Sequence, residues 1–130
     1  MADPTTDIVT RSLERLAERV GDPAPQIYER LFARIPEAQE RFARDVTGDI
    51  KGEMLTMVFT CLMDPGGPYQ QNLVKTERMN HDGFGTPNDQ FDSFFEIVRE
   101  TCRDLLGSEW SDDEDAAWTA QIARVTSATR

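Results

Sequence analysis

The chain has 130 residues, a net charge of −10 and a pI of about 4.5. That length suits one domain, residues 1–130, and is enough to build a hydrophobic core without disulfide staples. An acidic chain with scattered Lys and Arg repels nucleic-acid phosphates and anionic membrane surfaces, so neither is an expected partner.

The N-terminus lacks the charged region and apolar run of a signal peptide, and no apolar stretch approaches the length of a bilayer crossing. The expected location is the cytoplasm. Cys61 and Cys102 each fall on an apolar helical face and read as buried, reduced thiols. There is no Cys-x-x-Cys and no zinc-type spacing.

In chain order, Thr5, Thr6 or Asp7 can cap a first helix. Its apolar stripe is Ile8, Val9, Leu13, Leu16, Ala17 and Val20, and Gly21 stops it. Asp22-Pro23 restarts a helix, on which Ile27, Tyr28, Leu31, Phe32 and Ile35 share one face. Pro36 ends that helix, because a residue before proline is driven out of the α region, and begins a short one running to about Phe42.

After a polar corner over 45–48, Thr47 or Asp49 can cap a helix to about Met63. Its inward residues are Ile50, Met54, Met57, Val58, Cys61 and Leu62. The methionines make this face adaptable, which suits plain core as well as a ligand pocket. Asp64-Pro-Gly-Gly-Pro68 breaks the chain. The polar stretch 69–80 predicts a short, marginal helix ending just before or at His81, the chain's one histidine. Asp82-Gly-Phe-Gly85 is a turn with two glycines able to take positive φ.

Thr86-Pro87 starts a strongly apolar-faced helix through Leu106, marked by Phe91, Phe94, Phe95, Val98 and Cys102, and Gly107 terminates it. Ser111-Asp-Asp-Glu114 has the form of a capping box for a last helix with Ala117, Trp118, Ile122 and Val125 inside. No stretch alternates with the period of a strand. The expected fold class is all-α, with about seven helices. The corner at Pro36 argues against an up-down bundle of long helices.

Three segments carry a resemblance to a known family. The first is Ile27-Tyr28-x-x-Leu31-Phe32-Ala33-x-Ile35-Pro36-Glu37, continuing to Phe42. The second is His81-x-x-Phe84-Gly85-Thr86. The third is Leu105-Leu106-Gly107 with Trp110, followed by Ala117-Trp118. Together they resemble globins, closest to the bacterial single-domain haemoglobins and the haem domain of flavohaemoglobins, over about residues 8–125.

The resemblance implies a globin-like fold around a haem pocket and a haem b (iron protoporphyrin IX) cofactor. It implies that His81 is the proximal ligand to the haem iron and that Phe42 stacks on the porphyrin. Tyr28 would project its hydroxyl into the distal pocket, as a donor to the bound gas. It places Ile50 and Met54 on the distal face, where the family often has Gln or His at the first position. A one-residue slip would put Lys51 and Leu55 there instead, and Lys51 or Met54 could reach the iron as an internal ligand. Phe91 falls where flavohaemoglobins place a Tyr that orients the proximal His. The Glu that completes that arrangement has no counterpart within these 130 residues.

The function implied is reversible binding of O2 or another diatomic gas, as carrier, scavenger or sensor rather than as a complete enzyme. Two alternatives stand beside it. One is a haem-free, globin-like regulatory or interaction module, favoured by Glu77 one turn before His81. The other is the haem domain of an NO dioxygenase working with a separate reductase. A homo-oligomer and a protein partner both remain open at this stage.

Overall fold

The structure, a computed structural model, describes residues 3–83 and 85–127. Among the described residues there are seven α-helices and no strand: α1 (Pro4–Arg19), α2 (Ala24–Arg34), α3 (Glu37–Arg41), α4 (Asp49–Met63), α5 (Pro68–Gly83), α6 (Asn88–Leu106) and α7 (Asp112–Ser127). A 3-10 turn, Gly107–Glu109, joins the last two. The all-α expectation holds. No described helix is long and apolar enough to cross a membrane.

Several helix starts differ from expectation. α1 begins earlier, at Pro4, and its cap is Asp3, whose carboxylate accepts the Thr5 amide at 3.1 Å. A carboxylate at this position also answers the positive end of the helix dipole. Neither Thr47 nor Asp49 caps α4. Asp45 reaches forward from the preceding loop, and its two carboxylate oxygens accept the Ile50 and Lys51 amides at 3.1 Å each. The box at α7 closes on one side only. Ser111 Oγ accepts the Glu114 amide, but the Glu114 carboxylate turns away to pair with Arg15 on α1.

The largest revision concerns α5. It is not a marginal piece over 69–80 but a 16-residue helix that carries His81 within its last turn. Its inward face is built partly from a cation, which hides it from apolar periodicity. Arg78 is 7% exposed, donates to the Asp92 carboxylate and to the Thr126 carbonyl, and stands 5.1 Å from the Phe91 ring centroid. α5 is thereby fastened to α6 and α7. Of the two glycines in the following turn, Gly83 stays in the helix and Gly85 takes φ +92°, open only to glycine without strain. Phe84, in the second motif, lies outside the described residues.

The two ends of the fold close on each other. α1 packs chiefly on α7, and α2 packs on α6. Trp118 is fully buried, and its indole N–H donates to Ser12 Oγ at 2.7 Å. Gln121, also fully buried, donates to Thr6 Oγ1 at 2.7 Å and to the Leu62 carbonyl at 2.8 Å. Arg124 pairs with Asp3. These buried polar groups keep their partners, which removes the desolvation penalty of leaving them alone. With α1 and α7 occupied by each other, helices α2 to α5 enclose a cavity against α6.

Candidate functional site

The cavity has a volume of about 240 Å³ and is open to solvent on one side. That is slightly below the roughly 300–1,000 Å³ of typical small-molecule sites. Its wall comes from five helices: Leu31 of α2 with Ile35 at its C-cap, Ala38 of α3, the α4 face with Met54, Met57 and Val58, Leu73 and Val74 of α5, and Phe91, Phe94 and Phe95 of α6. The lining is overwhelmingly apolar. The α4 face turns two of its methionines here, so their adaptability is spent on a cavity wall.

Of the residues singled out in the sequence, Phe42, Ile50, Met54, His81 and Phe91 all line this one cavity. They come from the C-cap of α3 and from α4, α5 and α6. Ile50 stands at the rim rather than deep inside, with 52% of its surface exposed. Its position in the first turn of α4 explains this, since only one side of that turn faces the core.

Tyr28 is not among the residues that line the cavity. It is buried, but it stands behind the wall, with its hydroxyl donating to the Lys51 carbonyl at 2.9 Å. Its ring meets Phe42 edge-on at 5.4 Å and lies 5.8 Å from Phe94 and 6.0 Å from Phe32. Burial, and secondarily the negative charge of Asp45, push its pKa upward, so the hydroxyl stays protonated and keeps donating. Lys51 follows the same grouping. Its ammonium lies 5.8–6.0 Å from the centroids of Tyr28, Phe32 and Phe42, within cation–π range of all three. Leu55, the partner of Lys51 in the slipped register, is buried in the core.

His81 is the chemically distinctive group in the wall. Its Nδ1 lies 2.7 Å from the Glu77 carbonyl oxygen. A carbonyl can only accept, so in the neutral ring Nδ1 holds the proton and Nε2 holds the lone pair. That is the tautomer a metal-ligating imidazole needs, and a main-chain carbonyl is a usual way of fixing it. Phe91 meets the imidazole edge-on at 5.2 Å and limits its rotation. Glu77 is also a lining residue of the cavity, and its carboxylate lies 3.7 Å from Nδ1.

Sequence reasoning missed Arg41, which lines the cavity at the end of α3. It donates to Gln90 Oε1 at 2.7 Å and to the Gly85 carbonyl at 3.4 Å, while Gln90 donates to Glu37 at 2.9 Å. A lone Arg on a five-residue helix reads as a solvated surface residue, and no spacing in the sequence sets it apart. Cys61 contributes its side chain to the wall as well. Both cysteines are buried with free thiols, and burial raises the pKa of Cys61 to about 11 and of Cys102 to about 12. Neither is poised as a nucleophile.

Compared with known families and characterised proteins, the chain matches no family model and no characterised protein.

Proposed function

We propose that this chain is a globin-like protein that binds haem b in the cavity and reversibly binds O2 or another diatomic gas. The observation that carries the proposal is His81, a histidine on an apolar wall with Nδ1 committed to a main-chain carbonyl and Nε2 left as a lone-pair donor. The residues present fit the group. Phe42, Ile50, Met54 and Phe91 would hold its apolar body, and His81 would hold its iron. The enclosed volume is small for a tetrapyrrole, so the group's polar edge would extend through the open side. Haem, when bound, would supply an iron able to bind a diatomic gas.

The protein's own contribution is to orient the ligating imidazole and to keep water from the apolar faces. Tyr28 enters this proposal as the residue that fixes Phe42 and the start of α4, because its hydroxyl is engaged at Lys51. An NO dioxygenase role is less well supported. The rim of α4 offers Ile50 and Met54 rather than polar groups, and Phe91 stands beside His81 without a hydroxyl. One observation favours a second reading, a haem-free interaction module: a carboxylate, Glu77, stands in the apolar wall. A charge in such a place is costly unless something pairs with it.

The test is a haem titration of the purified chain, followed by absorption spectra in ferric, dithionite-reduced and CO-bound forms, beside His81→Ala. A saturating one-to-one complex with the Soret band of a histidine-ligated CO form, lost in the variant, is the expected result. Titration without an ordered Soret band would overturn the haem proposal and leave the interaction module.

A further inference from the structure

The cavity has a charge polarity. Among the described residues that line it, Arg41 is the one Lys or Arg and stands on α3, beside the Gly85 turn and the start of α6, and Glu77 is the one acidic residue and stands on α5 beside His81. Arg41 has no carboxylate oxygen within 4.0 Å among the described residues. Glu40 adjoins Arg41 in sequence, and Glu37 lies one turn earlier on α3. Its carboxylate accepts from Gln90, and its pKa is lowered by its own backbone amide first and by Gln90 next, so it is ionised. The guanidinium uses one N–H on Gln90 and one, at 3.4 Å, on Gly85. An arginine carries five N–H donors, so three remain for an acceptor arriving from the cavity.

We propose that Arg41 anchors the carboxylate edge of the tetrapyrrole, with Gln90 holding the guanidinium in place. The proposal rests on the haem reading above and adds an orientation to it. Glu77 repels the acidic edge from the His81 side, and Arg41 attracts it to the α3 side. Among the described residues the walls between them give no other Lys or Arg for a carboxylate. An Arg–carboxylate pair can be bidentate, which fixes in-plane rotation as well as adding affinity. Arg41 would act as a specificity residue that separates a dicarboxylic tetrapyrrole from an uncharged one of the same shape.

The experiment compares iron protoporphyrin IX with its dimethyl ester, titrated into the whole chain and into Arg41→Gln and Arg41→Lys, with circular dichroism confirming that each variant is helical. Wild type should bind the free acid more tightly than the ester by about fivefold, the upper range of an exposed ion pair. That preference should shrink as salt is raised, since the pair lies near water. Arg41→Gln should bring the two ligands within twofold of each other by weakening the acid and leaving the ester unchanged. Arg41→Lys should retain part of the preference. Full discrimination in Arg41→Gln, or equal weakening of acid and ester, would overturn the proposal while leaving the haem reading intact. Binding of neither compound by wild type would overturn both.

Discussion

His81 holds its Nδ1 2.7 Å from the main-chain carbonyl of Glu77, while the Glu77 carboxylate stands 3.7 Å from the same nitrogen. The two groups of one residue do different work. The carbonyl fixes the tautomer and survives any substitution of the side chain. The carboxylate puts charge into an apolar wall with 32% of its side chain still in reach of water.

Glu77→Leu separates the two. The carbonyl contact remains, so the spectra of the reduced and CO-bound haem complexes should not change. Removing a partly desolvated carboxylate from beside the ligand should favour binding by about 1 kcal/mol, the low end of such penalties because the group is partly wet. Haem transfer to an apo-globin acceptor should slow about fivefold on that estimate. Faster release from the variant would show that the carboxylate helps to hold the ligand rather than opposing it.

Tyr28→Phe removes a hydroxyl that donates to the Lys51 carbonyl. The ring contacts with Phe32, Phe42 and Phe94 stay. The expected cost is about 1 kcal/mol of folding stability, the usual net value of one such bond, read by urea denaturation of the ligand-free chain. A gas dissociation rate changed by less than twofold would fit a hydroxyl committed to α4. A rise of tenfold or more would mean that the hydroxyl leaves Lys51 when the cavity is filled.

Arg78→Ala leaves the Asp92 carboxylate without the guanidinium and opens space beneath Phe91. Breaking a buried ion pair on one side costs about 3 kcal/mol or more. Thermal and urea denaturation should both show the loss. Arg78→Ala combined with Asp92→Ala should cost less than the two single losses added together, because the two side chains share one contact. A single variant within 0.5 kcal/mol of wild type, roughly what an ordinary surface change gives, would contradict the clamp.

Burial raises the thiol of Cys61 to about 11 and that of Cys102 to about 12. In the unfolded chain a thiol ionises near pH 8.5, so above that pH the unfolded state binds fewer protons than the native one. The stability contributed is complete below the unfolded pKa and is lost as pH rises towards the native values. Each thiol should add a slope of about 1.4 kcal/mol per pH unit between those limits. Urea denaturation at pH 8, 9 and 10, beside Cys102→Val, should give a shallower loss in the variant. Parallel curves would place the Cys102 thiol in a wetter setting than its burial implies.

Much of this arrangement was legible in the sequence because apolar spacing reports which face of a helix is inside. That held for α2 and α6; Phe42, Ile50, Met54, His81 and Phe91, singled out through the family resemblance, line one cavity from four segments. Spacing fails where a charge does the inward work. Arg78 makes α5 look like a half-solvated fragment, and its burial depends on Asp92, fourteen residues away. It also says nothing of where a hydroxyl points. The partner of Tyr28 is a main-chain carbonyl twenty-three residues later, which no side-chain pattern marks. Asp45 caps α4 from outside the helix, beyond the offset at which a cap is normally sought.

The closure of α1 by α7 has a consequence for how the molecule comes into being. Ser12 waits for Trp118, Thr6 for Gln121 and Asp3 for Arg124, so α1 is completed only by a helix about a hundred residues later in the chain. During synthesis part of the buried face of α1 stays uncovered until α7 has been made. Partly made chains therefore carry exposed apolar surface, the condition under which nascent proteins aggregate or engage chaperones. Such long-range pairing also raises the loop-closure entropy that folding must overcome before its final contacts form.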